Sequence, residues 1–193
     1  MRLVERVKAI LLTPQKEWPV IEAEWASTAG LYTGYIMPLA AIGPVAMLIG
    51  WSALGIGPLS FRVPIGTGLT VAIASYVGSL IGVFVLALVI DALAPTFGGT
   101  RSQIQALKLA AYASTAAWLA GIFLILPALS ILAIVGVYSL YLLFLGLPVM
   151  MKSPAEKSLG YVVVTILVAI VIQIVIRAVV NQMTPWGRMG IVT

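Results

Sequence analysis

The sequence predicts an all-α membrane protein: a bundle of five transmembrane helices preceded by an amphipathic segment at the cytoplasmic amino terminus. Three observations predict it. Sixty-two percent of the chain is hydrophobic and 9% is charged, where a soluble domain carries about 25% charged residues. Five runs are apolar over roughly the 20 residues that a helix needs to cross a bilayer. The Lys and Arg residues gather in alternate loops.

Residues 1–31 form the first unit. Leu3, Val7, Ile10 and Leu11 fall close to one helical face, with Arg2, Glu5, Arg6 and Lys8 mostly elsewhere. Thr13-Pro14 opens a second helix, since proline is pre-organised for the first helical position. Trp18, Ile21 and Trp25 follow at i, i+3 and i+7, beside Glu17, Glu22 and Glu24. The pattern predicts a helix lying on the membrane surface with its tryptophans at headgroup level. Such a segment serves either as an anchor or as a docking surface for a cytoplasmic partner. Charges interrupt the first eight residues and no small-residue cleavage site follows an apolar run, so they do not read as a signal peptide.

The predicted spans are 32–54, 65–93, 104–126, 128–151 and 159–180, within a transmembrane unit of 32–181 and ahead of a short extracytoplasmic tail, 182–193. The third and fourth form one apolar run, far too long for a single crossing. Pro127, with no amide hydrogen to continue a helix, is the expected turn. Of the 11 basic residues, Arg2, Arg6, Lys8, Lys16, Arg101, Lys108, Lys152 and Lys157 fall on one side, and Arg62, Arg177 and Arg188 on the other. The positive-inside rule then places the amino terminus in the cytoplasm and the carboxyl terminus outside. A re-entrant second or third segment would reverse everything after it.

Ionisable and polar groups at depth are functional candidates. Asp91 and Lys108 sit at the same predicted depth and could pair, as an ion pair that fixes topology or as part of a transport site. Gln173 and Arg177 share a face of the fifth span, four residues apart. Arg177 can snorkel to the interface, while Gln173 is expected to bond a neighbouring helix. Small residues mark helix contacts: Gly78 and Gly82 in the second span, and Ala113, Ala117 and Gly121 in the third. Pro38, Pro44 and Pro148 imply kinks rather than breaks.

With 0 Cys and 0 His, disulfides, thiol chemistry and imidazole metal sites are excluded. No cofactor or metal is expected. The basic charge is spread over loops, so topology and anionic lipid headgroups account for it better than nucleic acid does. There is no Walker A motif, no H-E-x-x-H and no pair of intramembrane carboxylates. Ser102 and Lys108 read as loop and boundary residues, and Ser114 and Ser139 lack a histidine to activate them. A non-enzymatic protein is the expectation.

Several short motifs carry a resemblance. Gly136-Val137-Tyr138-Ser139-Leu140-Tyr141 leads to Gly146-Leu147-Pro148, followed by Lys152, Pro154 and Lys157. Upstream stand Thr13-Pro14 with Trp18 and Ile21, Phe97-Gly98-Gly99, and Ala110-Ala111-Tyr112-Ala113. Over roughly residues 8–180 the chain resembles the bacterial branch of the Yip family (Ypt-interacting proteins). The resemblance implies a five-span inner-membrane protein with a cytoplasmic amino terminus. Eukaryotic members bind Rab-type GTPases. This chain lacks their long amino-terminal domain and Asp-Leu-Tyr-Gly-Pro motif, so Rab binding is not carried over. The first expectation is a scaffold or adaptor, meeting lipid and either itself or another membrane protein, with Trp18, Trp25, Phe97, Arg101 and Lys152 as its cytoplasmic surface. The alternative is a small transporter or channel lined by Tyr112, Ser139, Tyr141 and Gln173 and gated near Asp91.

Overall fold

The computed structural model describes residues 3–55 and 62–182. The expectations for Arg2, Arg188 and the tail from 183 onward fall outside the described residues. Two short helices come first, α1 (Leu3–Leu12) and α2 (Pro14–Ala23). Five helices long and apolar enough to cross a membrane follow: α3 (Thr28–Leu54), α4 (Ile65–Leu93), α5 (Gln103–Ile125), α6 (Ile131–Met151) and α7 (Glu156–Gln182). In hydrocarbon each backbone amide must be bonded within its own segment, which is why all five are helical.

The central member is α5. Of its apolar stretch 61% is buried inside the bundle, against 28% or less for each of the other four. Its small residues allow this: Ala106, Ala110, Ala111, Ala113, Ala116 and Ala120 are all buried. Around it, α4 packs against both α5 and α7, and α6 packs against α5 and α2. Gly78 and Gly82 form a contact inside the bundle. A Cβ on Gly78 would lie 2.8 Å from Ile176 Cγ2, and one on Gly82 2.9 Å from Ile176 Cδ1. At the other end, a Cβ on Gly121 would lie 2.7 Å from the Gly43 Cα, so α5 and α3 meet backbone to backbone.

The prolines leave their marks. In α3, a π turn at Tyr32–Ile36 runs into Pro38, and a second occupies Gly50–Leu54. The Pro38 ring has no room over the carbonyl four residues back, and a widened turn relieves that clash. Helix α5 is interrupted at Ser114 and tightens to 3-10 turns over Gly121–Ile125. Leu126 is extended, and Pro127 starts a new 3-10 stretch, Pro127–Val137, that leads into the α-helical part of α6, Tyr138–Met151. The turn therefore falls at the predicted proline. Pro148 sits inside that last helix without breaking it.

The α4–α5 loop explains Phe97-Gly98-Gly99. Gly98 has φ +72°, the left-handed conformation that ends the short turn Pro95–Phe97. Gly99 is tight for another reason: a Cβ there would lie 2.7 Å from the Met151 carbonyl oxygen. Thr100 N–H donates to that oxygen at 2.8 Å, which ties the loop to the end of α6.

Candidate functional site

The amino-terminal segment does not lie flat on the membrane surface. Helices α1 and α2 form an antiparallel hairpin, turned at Thr13, that docks lengthwise against α5 and α6. Two rulers give its depth. The hydroxyl of Tyr138, the first residue of the α-helical part of α6, donates to the Leu11 carbonyl at 3.0 Å. That helix has 14 residues and ends at the loop beside the hairpin's open end, about 20 Å away at 1.5 Å per residue. On α5, Ala116 lines a cavity with Leu11; thirteen steps from Gln103, it is again about 20 Å along its helix. The hairpin tip therefore reaches the middle of the bundle.

Its apolar side is consumed there. Ile10, Trp18 and Ile21 are fully buried. Trp18 sits in a notch on α6 that only glycine leaves open: a Cβ on Gly146 would come within 2.5 Å of the Trp18 ring. This corrects the surface expectation for Trp18, which is 0% exposed. Trp25 behaves differently, at 89% exposed. Helix α2 stops at Ala23 and Glu24 is extended, so the i, i+7 spacing no longer keeps the two tryptophans on one face.

The polar groups of the hairpin meet one stripe of α5. Gln105, Lys108, Tyr112 and Thr115 follow at spacings of three and four and so share a face. Lys108 Nζ donates to the carbonyls of Ile21 (2.9 Å), Glu22 (3.4 Å) and Glu24 (2.5 Å), and Gln105 Nε2 donates to Glu22 O at 3.0 Å. The last carbonyls of a helix have no partner within it and form the negative end of its dipole. An ammonium on that end is the natural complement. Lys108 thus caps α2 and does not pair with Asp91. Asp91 instead bonds Arg101 at 3.1 Å. Equal depth suggested the Asp91–Lys108 pair, but the two side chains leave their helices in different directions.

Arg6 lies between α1 and α2 with its side chain 5% exposed. One guanidinium nitrogen bonds Glu17, 10% exposed, and the other bonds Glu24. The guanidinium also stands 5.9 Å from the centre of the Tyr112 ring, within reach of a cation–π attraction. Tyr112 packs on Tyr35 with centroids 4.4 Å apart, and the Tyr35 hydroxyl shares a 2.7 Å hydrogen bond with Thr115 Oγ1. The π turn of α3 presents Tyr35, so one polar chain links hairpin, α5 and α3.

The remaining candidates fall into two groups. At the hairpin's open end, Lys152 reaches Glu22 at 3.3 Å; in the α4–α5 loop, Phe97 stacks on Tyr161 of α7 at 5.0 Å and 8°. The proposed transport path is not assembled. Tyr141 is 43% exposed on the outside of α6, and Gln173 and Arg177 are exposed on α7. Gln173 makes no hydrogen bond to a neighbouring helix among the described residues. Ser139 accepts the Ala117 amide at 2.9 Å, next to the α5 interruption. A cavity of about 320 Å³ lies at the hairpin tip, lined by Leu11, Ala116, Leu119, Phe123, Val135 and Tyr138 among others. Its walls are almost wholly apolar.

Residues 8–176 match the family model of the Yip1 domain. The protein named inner membrane protein YohC of Escherichia coli strain K12 is 29% identical over 168 residues, covering 81% of this chain and 84% of its own length. The protein of the same name from E. coli strain CFT073 matches to the same extent. No solved structure matches the chain. The first four spans, most of the fifth, the glycine loop at Phe97-Gly98-Gly99 and the Trp18 notch at Gly146 lie within the matched region, and the chain belongs to the Yip1-domain family.

Proposed function

We propose that the chain is a non-enzymatic inner-membrane scaffold or adaptor, with the amino terminus in the cytoplasm and the carboxyl terminus outside, that binds another copy of itself or a second membrane protein. One observation carries the reading. The strongest polar groups at depth are all engaged: Arg6 with Glu17, Lys108 with backbone carbonyls of α2, and Tyr35 with the Thr115 hydroxyl. A catalytic or transport group needs a free face toward its substrate, and these have none. What the fold offers outward is its apolar flank and the hairpin's open end, where Trp25 is bare and Arg101 and Lys152 are largely exposed. The inner-membrane assignment draws on the name of the E. coli relatives. Orientation draws on the distribution of Lys and Arg.

Crosslinking in native membranes from a photoreactive residue at Trp25, followed by mass spectrometry, tests the partner. A discrete adduct with this chain or one other membrane protein is expected, and lipid adducts alone would refute the adaptor. A reporter fused after Thr193 is expected to be active only outside the cytoplasm. Activity inside would overturn the orientation.

A further inference from the structure

The outer face of the hairpin is spent on nothing so far described. Lys8 projects from it, exposed, and makes no ion pair among the described residues. Leu11 is three residues further along α1, on the same face and about one turn deeper, and it forms one wall of the apolar cavity. A cation thus stands about one turn above the Leu11 wall of an apolar pocket, on the side nearer the headgroups, at a depth set by the Tyr138–Leu11 bond.

We propose that this face and this cavity together bind one anionic phospholipid, its phosphate on the Lys8 ammonium and part of one acyl chain in the cavity. Three physical points converge. A lone ammonium facing the acyl region is costly and draws a phosphate or water toward it. Lys8 can lean toward the headgroup layer, because side chains on α1 tilt toward its amino terminus. The cavity, about 320 Å³, is within the usual ligand-pocket range of about 300–1,000 Å³. The hydroxyl of Tyr138, a residue of the cavity wall, is already committed to Leu11 O. The pocket therefore suits hydrocarbon and not a polar solute. Small Ala116 and Ala120 leave room for it, and Leu11 supplies the wall from the hairpin.

The test uses the full-length protein, purified in mild detergent and examined by native mass spectrometry with added phosphatidylglycerol. Diacylglycerol of the same chains and excess inorganic phosphate serve as controls. One phosphatidylglycerol per chain is expected to be retained, with little diacylglycerol and no displacement by phosphate. Lys8→Ala removes the cation from an exposed position. Val135→Trp fills the mouth from a position that is itself largely exposed. Each is expected to lower retention by about tenfold while thermal unfolding stays unchanged. Equal retention by wild type and both variants would overturn the site, and so would diacylglycerol held as firmly as phosphatidylglycerol. Displacement by inorganic phosphate alone would show an anion site without a lipid.

Discussion

Replacing Arg6 by Met strands Glu17, which is 10% exposed and has the Arg6 guanidinium as its ion-pair partner. Removing one member of a buried pair costs about 3–5 kcal/mol, because the other charge is left uncompensated. Arg6→Met is therefore expected to loosen the hairpin and lower the thermal midpoint. Arg6→Lys should recover only part of the loss, since a single ammonium cannot present two nitrogens to two carboxylates in the guanidinium geometry. Circular dichroism melts of the detergent-solubilised variants measure both. The residue scale is also where the sequence was hardest to read. Lys108 looked like a partner for Asp91 because only depth is visible in a linear chain. The direction in which a side chain leaves its helix depends on which neighbour the helix meets. The stripe Gln105, Lys108, Tyr112 and Thr115 was present in the spacing, but nothing local says that a helix end will arrive there.

Among the elements, the five spans were legible because hydrocarbon imposes one rule on every backbone amide. The turn at Pro127 followed from the missing donor. Pro38 and Pro127 marked where α3 and α6 depart from regular helix, but the sequence did not say that the departures would be a π turn and a 3-10 stretch. The hairpin is the largest departure. Leu3, Val7, Ile10, Leu11, Trp18 and Ile21 pack against the bundle and Trp25 does not, and an apolar side reads the same in a sequence whether it meets headgroups or other helices. What decides between them is Gly146, more than 120 residues away in the chain. Adding a side chain there should expel Trp18: Gly146→Leu is expected to cost about 1–3 kcal/mol by overpacking and to expose residues 3–24 to added protease. In a Trp18→Ala background the same change should cost much less. A double-mutant cycle on thermal unfolding measures that coupling, and additive losses would show that Trp18 and Gly146 do not meet.

For the whole molecule, the depth of the hairpin is the property most open to direct measurement. The chain contains 0 Cys, so a single introduced cysteine reports on one position. Leu12, at the tip, is 78% exposed from the bundle but lies at mid-span depth; Trp25 is 89% exposed at the open end. In intact membranes, Trp25→Cys is expected to react readily with a water-soluble maleimide supplied on the side proposed to be cytoplasmic. Leu12→Cys should react at least about tenfold more slowly, because thiolate is disfavoured in apolar surroundings and only the thiolate attacks. Equal rates would return the segment to the membrane surface. The composition indicated at the outset that lipid is the solvent. The structure adds that the amino-terminal segment packs one side into the bundle, with Arg6 and Glu17 buried, and leaves Lys8 and Leu12 exposed on the other.

The Tyr138–Leu11 hydrogen bond joins residues 127 positions apart, and this has a consequence for synthesis. The hairpin leaves the ribosome well before α5 and α6, the helices that receive it. At about 5–20 residues per second, the interval is about 6–25 s. Throughout that time Trp18 has no notch and α1 has no partner in α6, while Lys108, the cap of α2, is made only part-way through it. The nascent hairpin must wait at the interface, held by its own Arg6–Glu17 pair, until α5 and α6 have been inserted.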